Sequence, residues 1–93
     1  MARLKLRSSV LAAAEAMERK LRTHDKDRGE AGWINNSPVA LLSRVFDEYM
    51  DLREALDAGD YDRAREEAID VMNMAHMVFD VCSILLYQAP WRR

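Results

Sequence analysis

Residues 60–87 read DYDRAREEAIDVMNMAHMVFDVCSILLY. Asp60 is a helix-capping residue type, and no glycine or proline follows until Pro90, so a helix from Asp60 to about Tyr87 is expected. One apolar row runs Ala64, Ala68, Val71, Ala75, Val78, Cys82, Leu85 and is expected to be the packed seam. A second row, Ile69, Met72, Phe79 and Leu86, exceeds what one partner helix can cover. Into this increasingly apolar run the chain carries Glu67, Asp70 and Asn73. A bare carboxylate in an apolar interior is costly unless a cation or hydrogen-bond donors meet it. Either this face stays in water, or something positive sits there.

Working back from this stretch, Gly59 reads as the left-handed cap that ends a preceding helix. That helix starts at Ser37-Pro38, a residue pair suited to the cap and first helical positions. Its apolar residues Leu42, Val45, Tyr49, Leu52 and Leu56 follow with 3-4-3-4 spacing, a narrow seam facing another helix. Residues 23–37 hold two glycines and two asparagines without periodicity and read as a loop. Before it, Leu6, Val10, Ala14, Met17 and Leu21 recur at helical spacing, so a first helix over about residues 3–22 is expected. The fold class is all-α: a single domain, 1–93, of three main helices, the last two an antiparallel hairpin. The doubly apolar last helix implies completion by oligomerisation.

Composition narrows the function classes. Ninety-three residues make one domain with a modest core. Three Gly and two Pro are too few for a loop-rich β fold. The single cysteine, Cys82, excludes an intrachain disulfide and a cysteine metal cluster, and points to a reducing cytoplasm. Arg3, Lys5 and Arg7 open the chain, but Glu15 and Glu18 interrupt any targeting pattern. Residues 68–87 are the candidate membrane span, and Asp70, Asn73, His76 and Asp80 argue against it, each central Asp costing roughly 2.5–3.5 kcal/mol. No membrane partner is expected. A formal net charge of −2, with no dominant basic stripe, argues against a nucleic-acid polymer as partner.

Four acids carry the functional signal. Glu48 and Asp51 are three apart and share one helix face, as do Glu67 and Asp70. In each helix the Glu directly precedes a seam residue, Tyr49 or Ala68. Counted outward from Gly59, Glu48 stands level with Asp70, and Asp51 with Glu67. The four carboxylates are therefore expected in one cluster. Such a cluster is either a solvated face or an all-oxygen site for a hard divalent cation, Mg²⁺ or Mn²⁺.

Glu48-x-x-Asp51 followed by Glu67-x-x-Asp70 resembles the Glu-x-x-Glu…Glu-x-x-Asp signature of the MazG-like, all-α nucleotide pyrophosphohydrolases. The stretch GWINNSPVALLSRVFDEYMDLREAL is similar to the small, phage-type branch, and REEAIDVMNMAHMVFD to that branch's second acidic helix, Asn73 included. The resemblance covers about residues 18–82. Asp51 stands where the family usually has Glu, and Asp47 where it often has a further Glu. The resemblance implies Mg²⁺ held by Glu48, Asp51, Glu67 and Asp70, and cleavage of a nucleoside triphosphate, a deoxynucleotide in this branch, between the α and β phosphates. Glu48, or Asp47 behind it, would orient the attacking water and accept its proton. The resemblance also implies a cytoplasmic dimer or tetramer, in the host's cytoplasm if phage-encoded. Alternatives are the related phosphoribosyl-ATP pyrophosphohydrolase and a non-catalytic helical interaction module.

Other residues carry paired readings. Lys26 and Arg28 reach phosphates or merely keep a loop soluble. Arg44, one turn before Glu48, contacts a phosphate or pairs with Glu48. Trp33 stacks on a base or closes the loop over the core. Asn73 bonds a ligand or supports Asp70. His24 reads as a plain loop residue, and His76 as a core histidine paired with Asp80.

Overall fold

The computed structural model describes residues 4–29, 32–88 and 91, the side chains of Asp27 and Arg28 excepted. All regular structure among them is helical: α1 (Ser8–Arg22), α2 (Asp25–Arg28), a 3₁₀ turn (Gly32–Asn35), α3 (Pro38–Asp57) and α4 (Tyr61–Tyr87). The Ser37 side chain accepts from the Ala40 N–H at 3.1 Å, and Pro38 opens α3 without wasting a donor. At the other end Gly59 takes φ 68°, a left-handed conformation that favours glycine. Its N–H bonds Leu56 O and that of Asp60 bonds Ala55 O, both at 3.0 Å, so two otherwise orphaned carbonyls are satisfied. Asp60 then caps α4 by accepting from the Arg63 N–H at 3.1 Å. So tight a turn leaves α3 and α4 an antiparallel all-α hairpin, against which α1 packs through α4.

Two element boundaries differ from the sequence expectation. Helix α1 begins at Ser8 rather than near residue 3: Arg7 is extended and offers no side-chain cap. Leu4 and Leu6 are exposed, so no packing supports an earlier turn. The 23–37 loop contains two short helical turns, α2 and the 3₁₀ turn. Single turns carry no periodicity and are held by contacts from elsewhere in the chain. Pro90, expected to stop α4, lies outside the described residues.

The packed rows are the consequential difference. On α3 the inward stripe is Pro38, Leu41, Val45, Glu48, Leu52 and Ala55, all buried or half-buried. The expected seam residues Leu42, Tyr49 and Leu56 are about half exposed (59%, 46% and 50%). The packed face is thus turned by roughly 60°, keeping Val45 and Leu52 and replacing the other three seam residues by the residues before them. On α4 the buried line is Ala64, Met74 and Val81, with Glu67, Val71 and Val78 half-buried between them, while the expected Ala75 and Leu85 are exposed. Two apolar rows lie side by side on α3, and spacing alone does not choose between them. Leu41 chooses: it clusters with Met74 and Val81, walled by Trp33, Val45, Met77 and Val78. By length and apolar composition alone α4 could cross a membrane; within this chain it is the helix on which α1 and α3 both pack.

Asp80 anchors the loop. It is 1% exposed and accepts the Trp33 indole N–H at 2.8 Å and the Trp91 indole N–H at 2.6 Å. Donors of this kind make a buried carboxylate tolerable. Trp91 also stacks on Phe79 at 5.8 Å. His76, expected to pair with Asp80, meets the edge of Trp33 at 5.4 Å instead, and its buried Nδ1 has no partner among the described residues. The rotated seam makes Leu41 the side chain whose loss costs most. Leu41→Ala is expected to destabilise the fold by about 2–5 kcal/mol in denaturant unfolding. A cost below about 1 kcal/mol would mean that the Leu42 row faces α4 instead.

Candidate metal centre

Rotation of α3 puts Glu48 in the packed stripe, midway between Val45 and Leu52, rather than at its edge. Across from it α4 presents Glu67 and Asp70, one turn apart. Carboxylate oxygens of Glu48, Glu67 and Asp70 all lie within 4.8 Å of one another. All three residues are half-buried. Like charges at that spacing repel by a few kcal/mol per pair at an effective dielectric of about 20. Three such oxygens are hard donors of the type that Mg²⁺ and Mn²⁺ prefer.

Each acid meets a different environment. Asp70 Oδ1 is 2.8 Å from Lys20 Nζ, which also lies 3.6 Å from Glu66 Oε2 and donates to Glu66 O at 3.3 Å. Burial pulls the Lys20 ammonium down, but the bonds and charges of Asp70 and Glu66 outweigh it and hold its pKa above the ordinary value. Glu67 Oε1 is 3.8 Å from Arg63 Nε, while Arg63 also reaches Glu54 at 3.4 Å across the hairpin. Glu48 has no ion pair or hydrogen bond to its carboxylate among the described residues. Burial raises its pKa first, then repulsion by Asp70, Asp51 and Glu67, with Lys20 opposing. Glu48 is the acid with an unmet demand for positive charge.

The remaining expected residues divide. Asp51 is exposed and stands outside the close trio, although its charge acts on Glu48. Asp47 is exposed and borders an apolar groove with Val39, Leu42 and Phe46, so it does not join the trio. Successive helix positions are roughly 100° apart, which turns Asp47 away as Glu48 turns inward. Asn73 is 6% exposed; its Nδ2 donates to Met17 O at 3.3 Å, tying α1 to α4, and its buried Oδ1 has no partner among the described residues. An acceptor sealed off in this way costs about 1–3 kcal/mol.

Glu48, Asp70, Lys20 and Asn73 line a cleft of about 110 Å³. It shares Leu21, His24, Arg44 and Met77 with a larger hollow of about 360 Å³ reaching Trp33, Asn36 and Gly32. Arg44 is exposed along both and makes no ion pair with Glu48, contrary to one of its two sequence readings. Trp33 does close the loop over the core through Asp80, and it also lines the larger hollow. Lys26 is exposed on α2, outside the lining of both cavities. The Arg28 side chain lies outside the described residues. Two residues escaped the sequence reading. His24 lines both cavities, and Lys20 grips Asp70. The signal for Lys20 was its place in the inward row of α1, with Ala13, Ala16, Met17 and Leu21, where a cation is out of pattern.

No family model matches the chain, and no solved structure does. Over 52 residues it is 36% identical to an uncharacterized protein of Archaeoglobus fulgidus; the match covers 56% of this chain and 56% of that protein. The matched region thus spans little more than half the length of that relative, whose description names no activity.

The Glu48 environment has a pH signature. Because its folded pKa is raised, its contribution favours the fold below the unfolded value near 4.5 and is lost as pH rises through the folded pKa. In EDTA, Glu48→Gln is expected to raise the melting temperature at pH 7 and to flatten the loss of stability as pH rises above the ordinary value of 4.5. A variant less stable than the parent at pH 7 would show that the Glu48 charge is already compensated in the fold.

Proposed function

We propose that the chain is a divalent-ion-dependent nucleotide pyrophosphohydrolase that cleaves a nucleoside triphosphate, preferentially a deoxynucleotide, into nucleoside monophosphate and pyrophosphate. One observation carries this reading. Three carboxylates from two helices converge inside the packed seam, where a structural role would favour apolar side chains; Glu48 and Asp70 line a small cleft with Arg44, which also lines the larger hollow walled by Trp33. The resemblance of the two acidic motifs to the MazG-like enzymes points the same way. The donor set suits Mg²⁺ or Mn²⁺: Glu48, Glu67 and Asp70 would hold the ion, with Asp51 at the rim. Bound there, the ion supplies neutralisation of the polyphosphate and a lowered pKa for the attacking water.

The chain's own groups do the rest. Arg44, free of an ion pair to Glu48, offers a planar, doubly donating head to phosphate oxygens along the cleft. Glu48, its pKa raised by burial and by its acidic neighbours, is the group suited to orient a water and take its proton. Trp33 is fixed by its edge on Asp80, which leaves the ring to wall the larger hollow where a base would lie.

Exposed Leu42, Phe46 and Tyr49 support a homo-oligomer, dimer or tetramer, in the cytoplasm. Sedimentation is expected to give a mass at least twice the 10.7 kDa of the chain; a monodisperse monomer at tens of micromolar would refute it.

Incubation with each deoxynucleoside triphosphate and with phosphoribosyl-ATP, with and without Mg²⁺, tests the activity by pyrophosphate release. Release is expected from at least one deoxynucleotide with Mg²⁺ only, and Asp70→Asn is expected to reduce it by about a hundredfold or more while remaining folded. A folded Asp70→Asn that works at the parent rate would defeat the assignment of the acids. A parent chain inert toward every nucleotide would favour a non-catalytic interaction module.

A further inference from the structure

We infer that Lys20 is the site's resident cation: its ammonium neutralises Asp70 when no metal is bound and is exchanged for the divalent ion when one enters. The inference rests on the divalent-ion reading of the three acids and adds to it what the site does while empty of ions.

The placement of Lys20 is specific. The other cations in the last turn of α1, Arg19 and Arg22, point to solvent and pair with Glu15 and Glu18 on their own helix at 3.6 and 3.7 Å. Lys20 alone among them turns inward, and its ammonium reaches Asp70 Oδ1 at 2.8 Å, the shortest ion pair among the described residues. Arg63 meets the trio only at Glu67, at 3.8 Å, and is shared with Glu54. Lys20 therefore occupies one side of Asp70, its other contacts being Glu66 Oε2 at 3.6 Å and Glu66 O at 3.3 Å, and a metal ion bound by Asp70 would compete with it for that carboxylate.

A single ammonium leaves the site undersatisfied. Among the described residues Glu48 has no cationic partner of its own, and Asn73, which lines the same small cleft, has a buried Oδ1 without a donor. A hydrated divalent ion offers two charges and several water donors in the volume where Lys20 offers one charge. Exchange needs little rearrangement, because a lysine head rides on a flexible four-carbon stem and can swing away without movement of α1. An arginine in this place would hold a carboxylate with a rigid fork and leave less readily.

The consequence is a trade-off that one side chain controls. Lys20 keeps the ion-free protein folded against the repulsion of its acids, and it weakens metal binding, because the ion must displace it. A purely structural tether between α1 and α4 would support the fold equally with and without the ion.

Mn²⁺ titration of the full chain, read by electron paramagnetic resonance and paired with melting in EDTA and in saturating Mn²⁺, separates these cases. Lys20→Met, which keeps the stem and removes the charge, is expected to melt below the parent in EDTA, to bind Mn²⁺ at least roughly tenfold more tightly, and to melt close to the parent when saturated. Lys20→Arg is expected to retain weak binding. Lys20→Gln serves as the neutral variant if Lys20→Met does not fold without the ion. Unchanged or weaker Mn²⁺ binding by the neutral variant, or an equal loss of melting temperature in EDTA and in Mn²⁺, would overturn the exchange while leaving the metal site standing. Absence of Mn²⁺ binding in the parent and every variant would overturn both.

Discussion

Glu48 sits on α3 at a position that hairpin packing otherwise gives to apolar side chains, with Val45 one turn before it and Leu52 one turn after. Across the seam stand Glu67 and Asp70, so the middle of the α3–α4 contact holds three carboxylates where a bundle of this size would gain most from leucine or valine. Much of the rest of the structure compensates for that choice. The apolar cluster around Leu41 is displaced to one end of the hairpin, and Ala55 and Ala64 lie buried near the turn. Arg63 ties Glu67 and Glu54 on one side, and Lys20 comes from α1 to meet Asp70 on the other. Such repulsion in a small core marks a candidate functional site, and the divalent cation proposed above would relieve it.

The cleft next to the acids has the same logic. Trp33, held by Asp80 and set against His76, lines the hollow that Arg44 also borders. An acidic cluster, the Arg44 guanidinium and an aromatic wall thus follow one another across two cavities that share Leu21, His24, Arg44 and Met77. In the proposed reading a nucleotide lies along it, and an anion placed beside the acids needs positive charge there first.

Local signals told most about the fold, and long-range contacts told most about the site. The Ser37-Pro38 start and the Gly59-Asp60 turn were legible because their chemistry is contained within four or five residues. Glu48, Glu67 and Asp70 were legible as one cluster because helical spacing and a short turn determine which residues stand level; Asp51, expected with them, is exposed and stands outside the close trio. The seam of α3 was not: Leu41 and Leu42, like Val45 and Phe46, are both apolar, and only contact with Met74 and Val81 decides which faces inward. The turn of roughly 60° moved Glu48 from the edge of the seam into it and left Asp47 facing solvent. Lys20 with Asp70 and Trp33 with Asp80 join residues about fifty positions apart, beyond the reach of periodicity. The start of α1 was overextended because an apolar pattern in Leu6 and Val10 indicates a helix only where something packs on it.

Anomalous diffraction from crystals grown with Mn²⁺ tests the central claim most directly, since it locates the cation without reference to activity. The expected result is an anomalous peak within coordination distance of the carboxylates of Glu48, Glu67 and Asp70. A structure with saturating Mn²⁺ in solution and no peak at these three residues, their carboxylates spaced as they are here, would contradict it.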